Sequence, residues 1–152
     1  MKSIKRVLLL IICCSFLISC DVKRSSLVCS IDKSTKEGIT EKMSTTVEYA
    51  NKKVDKVTFV YLLNYDLDMY KEDEIVSLTN SIKEEYEKTY GDNKNISISS
   101  SRNGNKEFSI SVAVNYSKLT TEEREKYGLS FPDGIEKSKS DFEADGYTCE
   151  IG

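Results

Sequence analysis

Residues 54 to 65 read VDKVTFVYLLNY, and apolar side chains occupy every second position from Val57 to Tyr65. Strict alternation over this length predicts a strand of a sheet that has one buried face. Residues 106 to 116, KEFSISVAVNY, alternate in the same way. We therefore expect these two stretches to be the central strands of one sheet.

Three shorter stretches extend the predicted sheet. They cover residues 28 to 33, residues 43 to 50 and the pair Ile96 and Ile98. Asn51-Lys52-Lys53 joins the second stretch to the long strand, and Arg102-Asn103-Gly104-Asn105 joins the third to residues 106 to 116. Asn-Gly between alternating runs predicts a hairpin with a type I′ turn, in which both central residues have positive φ.

Residues 73 to 90 show helical rather than strand periodicity. The apolar residues that share one helical face are Ile75, Leu78, Ile82, Tyr86 and Tyr90. An acidic side chain before such a run is a favourable N-cap, and glycine commonly follows the last helical residue. We expect Asp73 to cap this helix and Gly91 to end it.

Two short helices are predicted near the C-terminus. Thr120-Thr121-Glu122-Glu123 matches a capping box and begins a helix that we expect to end at Gly128. After a turn at residues 131 to 134, a last helical stretch runs to Gly146. The order predicts an α+β fold: an antiparallel sheet of about five strands, with one main amphipathic helix and short C-terminal helices packed on one face.

The first nineteen residues have the organisation of an export signal. Residues 1 to 6 carry three positive charges, residues 7 to 18 are almost wholly apolar, and Ser19 is a small residue before Cys20. This order is typical of a secretory signal peptide. The apolar run is too short for a transmembrane helix, which needs about 20 apolar residues.

Leu17-Ile18-Ser19-Cys20 resembles the lipobox of bacterial lipoproteins. Such a motif places a small residue before the scissile bond and a thiol that takes a diacylglycerol. We expect cleavage between Ser19 and Cys20, lipidation of Cys20, a lipidated tether over residues 20 to 27, and a single domain over residues 28 to 152. A plain secretory signal with a chance cysteine is the alternative.

The lipid also predicts a location. Two or more acyl chains, such as palmitate, hold a protein stably on a bilayer, whereas one chain binds only marginally. We therefore expect the protein at the cell membrane, anchored by its lipid on the extracytoplasmic face of the cell envelope.

The cysteines fall into three groups. Cys13 and Cys14 belong to the predicted signal, Cys20 to the lipobox, and Cys29 and Cys149 to the two ends of the domain. In an oxidising compartment the last pair predicts a disulfide that holds the final residues on the first strand. Two free thiols and a redox pair are the alternatives, although the Cys-x-x-C spacing of redox motifs is missing.

The layout resembles the YehR-like family of small bacterial lipoproteins. The resemblance rests on the lipobox, a cysteine in the first strand, Val54-Asp55-Lys56-Val57 at the start of a long strand, and Gly146-Tyr147-Thr148-Cys149 at the end. It implies the same compartment and a similar α+β head. It implies no catalytic residue.

Charge and composition disfavour several functions. Without the three basic residues of the signal, 19 basic residues remain against 25 acidic ones, a net charge of −6. A nucleic-acid-binding protein presents a basic surface to phosphates, so we expect no nucleic-acid partner. The chain has no histidine, which argues against Ser-His-Asp and Cys-His catalysis and against histidine-bearing metal sites. We also expect no cofactor, since no glycine-rich phosphate loop is present.

Two groups of residues are candidates for a binding site. The first is an acidic cluster that could bind calcium through Asp66, Asp68, Glu72, Asp73 and Glu74. Its spacing does not fit an EF-hand loop, and acids also favour the start of a helix, so helix capping is the preferred interpretation. The second group comprises tyrosines on predicted strands, namely Tyr49, Tyr61, Tyr65 and Tyr116. These could pack in the core or form a surface that binds a sugar or peptide.

These observations predict a non-enzymatic lipoprotein whose small head binds a protein partner or a small ligand in the envelope. Two alternatives remain open. One is a histidine-free hydrolase that cleaves an envelope polymer with paired carboxylates. The two carboxyl groups of such a site lie about 5 to 9 Å apart. The other is an accessory subunit that stabilises a larger envelope complex.

Overall fold

The computed structural model describes residues 22 to 152, apart from the side chains of residues 34 to 36. The strands are β1 (Arg24–Lys36), β2 (Ile39–Ala50), β3 (Lys53–Tyr65), β4 (Ile96–Asn103), β5 (Glu107–Val114) and β6 (Thr148–Ile151). They form one sheet in the order β4-β5-β3-β2-β1-β6, and every neighbouring pair is antiparallel. The predicted α+β fold with an antiparallel sheet is confirmed.

Three α-helices and one 3₁₀ helix accompany the sheet in the described residues. They are α1 (Glu72–Tyr90), the 3₁₀ helix (Tyr116–Lys118), α2 (Thr121–Lys126) and α3 (Ile135–Ala144). α1 contacts the sheet through Tyr86, whose ring lies 5.4 Å from that of Tyr61, and α3 contacts it through Ser138, which bonds to Tyr49. Both contacts lie on the same face of the sheet, because Tyr49 lies six positions from Met43 on β2 and Met43 is the register partner of Tyr61 on β3.

One buried row crosses five strands and holds this face together. In register it joins Leu27, Val47, Val57, Val114 and Ile96. Because the side-chain period of a strand is two, this row places every second residue of β2, β3 and β5 under the helices. The opposite face is largely polar, with serine and threonine at many of its positions. The sheet is therefore covered on one side only.

The sheet has six strands rather than the predicted five or so. The sixth, β6, is only four residues long and lies beside β1, where Cys149 is the register partner of Cys29. These two cysteines form a disulfide across the two strands. The predicted bond is confirmed, and the two thiols are not free in this structure.

The predicted tether is too long at its C-terminal end. Residues 24 to 27 belong to β1, where Arg24 pairs with Ala50 and Leu27 with Val47. Leu27 is fully buried, so its burial and the backbone pairing favour the strand over a solvated linker. The folded domain therefore begins at Arg24 rather than at Val28.

The two hairpin turns differ from the expectation. A two-residue turn with positive φ at both positions joins β2 to β3 at Asn51 (φ 51°) and Lys52 (φ 68°). The β4-β5 hairpin is confirmed, but Asn103 pairs with Glu107 and three residues form its loop. Gly104 has a positive φ (66°), but Asn103 does not. The predicted type I′ turn at Asn103-Gly104 is therefore wrong.

Replacing Lys52 with glycine is expected to stabilise the protein by about 0.5 to 1 kcal/mol. The left-handed conformation costs an L-residue roughly 1 to 2 kcal/mol, while the greater freedom of glycine in the unfolded chain takes back part of that gain. Urea unfolding measures the difference. Lys53→Gly is the control, because Lys53 lies in a strand and its replacement should destabilise; a stabilising Lys53→Gly, or a destabilising Lys52→Gly, would contradict the turn assignment.

The helix ends are determined by local hydrogen bonds. The N-cap of α1 is Lys71, two residues before the expected Asp73. The Glu74 carboxylate accepts a hydrogen bond from the Lys71 N–H at 2.9 Å. The helix ends before Gly91 as predicted. The Thr120 capping box is confirmed: Thr120 accepts from the Glu123 N–H at 3.2 Å, and Glu123 accepts from the Thr120 N–H at 2.8 Å.

Candidate functional site

A hollow lies on the helical face of the sheet, between α1 and the C-terminal segment that contains α3. It consists of two cavities that share Tyr61 as a common wall. The first, which we call the α1 cavity, has a volume of about 350 Å³, and the second, the α3 cavity, about 290 Å³. We refer to both together as the tyrosine hollow.

The floor of the α1 cavity follows from the strand register. Glu41 of β2 pairs with Leu63 of β3, and Tyr61 of β3 pairs with Ile110 of β5, so these side chains lie on the covered face. Leu78, Ile82 and Tyr86 of α1 are spaced four residues apart and form the opposite wall. The walls do not close, since Leu78 keeps 40% of its surface exposed.

The α3 cavity is formed by aromatic side chains and by two acids of the C-terminal segment. Phe59 and Tyr61 of β3 face Phe131, Phe142 and Tyr147 across it. Two of these rings are in contact, since the ring centres of Phe142 and Tyr147 are 5.2 Å apart. Asp141 and Asp145 lie at the edge of the same cavity.

A chain of tyrosine rings runs from the α1 cavity toward α2. The ring centres are 5.4 Å apart for Tyr61 and Tyr86, 6.1 Å for Tyr86 and Tyr90, and 5.4 Å for Tyr90 and Tyr127. Burial, followed by the neighbouring Tyr61 phenol, raises the pKa of Tyr86 strongly, and burial also raises the pKa of Tyr90. These phenols are therefore neutral and present hydrogen-bonding groups on an apolar wall.

Tyr65 has a buried polar atom with no partner. Its side chain lines the α1 cavity and keeps only 3% of its surface exposed. Its hydroxyl makes no hydrogen bond within the described residues, and burial raises the pKa of this phenol. A buried donor without a partner costs roughly 1 to 3 kcal/mol, so this hydroxyl marks a place where an added polar group would be stabilised.

The structure separates the four predicted tyrosines into two pairs. Tyr49 is buried and donates a hydrogen bond to Ser138, and Tyr116 is buried beneath Arg124, whose guanidinium lies 4.2 Å from the ring centre. Tyr116 also begins the 3₁₀ helix instead of ending a strand, because β5 ends at Val114. These two are packing residues, whereas Tyr61 and Tyr65 line the hollow.

Glu41 is the lining residue that the sequence prediction missed. The second strand was expected to begin at Met43, but it begins at Ile39. Extending the alternation of Met43 and Thr45 back by two residues places Glu41 among inward-facing positions. The signal in the sequence was an acidic residue at an inward position of a row that is otherwise mostly apolar.

The lining of the hollow is negatively charged. Glu41, Asp141 and Asp145 line the two cavities, and neither cavity has a lysine or arginine among the described residues that line it. Asp141 forms a 3.5 Å ion pair with Lys137 one turn before it on α3. Glu41 forms no ion pair within residues 22 to 152, although the exposed Lys33 is its register partner on β1.

The acidic cluster before α1 is engaged in local contacts. Asp66 accepts a hydrogen bond from the Asp68 N–H at 2.9 Å, Glu74 accepts from Lys71, and Glu72 lies 3.2 Å from Arg102. Within residues 22 to 152 no group of three or more acidic or cysteine side chains is arranged to hold a metal ion. These contacts agree with the helix-capping interpretation of the cluster.

The predicted signal peptide, its cleavage site at Ser19 and the lipidated Cys20 lie outside the described residues. From residue 22 onward, no helix has both the length and the apolar character that crossing a membrane requires. The anchoring of the protein therefore stays a prediction.

Comparison with known proteins supports the fold. The chain is similar to a protein from Streptococcus pneumoniae TIGR4 whose structure was determined by NMR, with a TM-score of 0.58 and 12% identity. The match covers 86% of this chain and 87% of the other. No family model and no curated protein matches the sequence.

Proposed function

We propose that the chain is a bacterial lipoprotein, anchored through Cys20 on the extracytoplasmic face of the cell membrane, whose head binds a ligand in the tyrosine hollow without catalysing a reaction. The lipobox and the signal-like residues before it support the anchor. The observation that supports binding is the hollow itself, in which apolar and aromatic walls remain open around a buried hydroxyl that lacks a partner. The resemblance to YehR-like lipoproteins stays a prediction.

The position of the hollow in the sheet supports this proposal. In the proposed anchored state the lipid is attached on the side of the chain that precedes Arg24, the first residue of β1. Lys33, opposite Glu41, is nine residues farther along β1 than Arg24, or about 30 Å at the rise of a strand. The α1 cavity therefore lies toward the end of β1 opposite to the end that follows Cys20 in the chain.

Its size and lining are also those of a ligand site. Small-molecule sites have volumes of about 300 to 1,000 Å³ and combine apolar walls with a few polar groups. The α1 cavity, at about 350 Å³, has Glu41 and the tyrosine hydroxyls as its polar groups among apolar side chains. Packing alone would leave a well-filled interior at this place.

We expect cyclohexanol, a neutral apolar probe, to bind in the hollow. In the full chain with isotope-labelled tyrosine rings, the NMR signals of Tyr61 and Tyr86 should shift on titration, since both rings line the α1 cavity. Tyr49 and Tyr116 are internal controls, because both are buried in the core. Shifts spread evenly over all four rings, or no shifts at millimolar probe, would contradict a preformed binding hollow.

The other two functions stay predictions. The hydrolase requires two facing carboxylates, and of the acids that line the hollow Asp141 is paired with Lys137. The role as an accessory subunit requires a partner protein, on which the described residues carry no observation.

A further inference from the structure

We infer that the ligand of the α1 cavity is a small organic cation, an ammonium group on a short apolar body, with Glu41 as its counter-ion and the tyrosine rings as its walls. This inference rests on the proposed function and specifies the ligand of the same cavity. Four features of the described residues support it. They are the charge of Glu41, the aromatic walls of the cavity, the unpartnered hydroxyl of Tyr65 and the position of the cavity along β1.

The charge argument comes from Glu41. Its carboxylate is half-buried among Ile39, Leu63 and Ile110, and it has no ion pair within residues 22 to 152. A partly desolvated carboxylate gains most from a positive partner, because the attraction between charges grows as water is excluded. Phosphates and carboxylates would meet three acids and no basic residue along the hollow, so an anionic ligand would be repelled.

The aromatic argument comes from the walls. Tyr61 and Tyr86 lie beside the carboxylate, with ring centres 5.4 Å apart and their planes inclined at 57°. Both rings line the cavity, and the negative face of an aromatic ring attracts an ammonium ion. Burial raises the pKa of Tyr86, so this phenol is neutral and adds no charge of its own.

The Tyr65 hydroxyl supplies a third contact. Tyr65 lines the same cavity as Glu41, and its buried hydroxyl has no hydrogen-bond partner among the described residues. An ammonium or hydroxyl donor on the ligand would satisfy its oxygen as an acceptor. The same cavity also offers Leu78 and Ile82 of α1 to the apolar part of the ligand.

Position favours a soluble cation over a lipid headgroup. The α1 cavity lies about 30 Å along β1 from Arg24, at the strand rise of about 3.3 Å per residue. In the proposed anchored state this distance separates the cavity from the strand end that leads to the lipid. The volume of about 350 Å³ suits a small molecule rather than a folded partner.

Three probes with one ring and different charge test the inference: cyclohexylammonium, cyclohexanol and cyclohexanecarboxylate, each titrated into the full chain near neutral pH. The Tyr61 and Tyr86 ring signals report binding. We expect cyclohexylammonium to bind about tenfold more tightly than the carboxylate, with the alcohol between them, since a cation over an aromatic wall and beside a carboxylate gains about 1 to 2 kcal/mol.

Two variants localise the charge effect. Glu41→Gln keeps the shape of the side chain and should reduce the preference for the cation to about onefold. Glu48→Gln, the control, makes the same change of charge on the same strand, but Glu48 alternates with the buried Val47 and Tyr49 and faces away from the hollow. It should leave the preference unchanged, and dispersed tyrosine signals check that each variant is folded.

The outcomes separate the two claims. Equal affinities for all three probes would overturn the cation while keeping the binding hollow. Tighter binding of the carboxylate, or an undiminished preference in Glu41→Gln, would also overturn it. If no probe shifts the signals of the hollow, the proposed function fails together with the inference.

Discussion

Replacing Cys149 with serine is expected to lower the free energy of unfolding by about 4 to 5 kcal/mol. The disulfide joins residues 120 positions apart, and closing a loop of that length removes much of the entropy of the unfolded chain. A domain of ordinary stability has about 5 to 15 kcal/mol in total, so the variant should lose a large part of it. Urea unfolding of the full chain measures the change.

The loss should be greatest at the edge of the sheet. β6 has four residues and pairs with β1, with hydrogen bonds between Ser26 and Gly152 at 3.2 Å and 2.9 Å. Without the covalent bond this short strand should fray, and the amide of Gly152 should exchange with solvent far faster. Reductant serves as the matched control: it should destabilise the natural protein and leave the Cys149→Ser variant unchanged. A natural protein that is insensitive to reductant would contradict the bond.

The disulfide also has a consequence for the hollow. The segment that runs from Phe142 in α3 to Tyr147, directly before β6, lines the α3 cavity with these two rings. Because β6 follows this segment directly, releasing the strand frees one wall of the hollow. We therefore regard the disulfide as part of what positions the walls of the α3 cavity.

Replacing Cys20 with serine is expected to abolish lipidation completely. The thiol is the atom that forms the thioether to diacylglycerol, and a serine hydroxyl is a far weaker nucleophile near neutral pH. Because the mature head carries a net charge of −6, anionic lipid would not retain it once the acyl chains are missing. Metabolic labelling with a fatty acid, followed by fractionation, measures both effects.

The control for this experiment is Cys13→Ser, which lies inside the apolar run and should keep full labelling. Label that persists in Cys20→Ser would contradict the anchor. Label lost in both variants would indicate that the export signal, rather than the lipidated thiol, had been damaged.

The long strands could be predicted because their signal is strictly periodic. In β3 and β5 the inward positions are apolar without interruption, and a slip of one residue would expose all of them. β6 could not be recognised in this way, because four residues give no period and its place depends on the distant Cys29. The N-cap of α1 was misplaced since Glu72, Asp73 and Glu74 follow one another, and local bonding to Lys71 decides between them.

The candidate site was predicted only in part. Tyr61 and Tyr65 were recognised from their residue type and strand position, but so were Tyr49 and Tyr116, which line neither cavity of the hollow. What separates the pairs is the path of α1 and α3 over the sheet, and no local pattern encodes that path. Glu41 was missed because the start of β2 was placed at Met43, which left it outside the alternation.

The intact mass of the natural protein extracted from membranes tests the anchored, disulfide-linked state most directly. The account predicts a chain that begins at Cys20, carries a diacylglycerol and further acyl mass on that residue, and accepts alkylating reagent at Cys29 and Cys149 only after reduction. An unmodified chain that begins at Met1, or one alkylated at both cysteines without reductant, would contradict it.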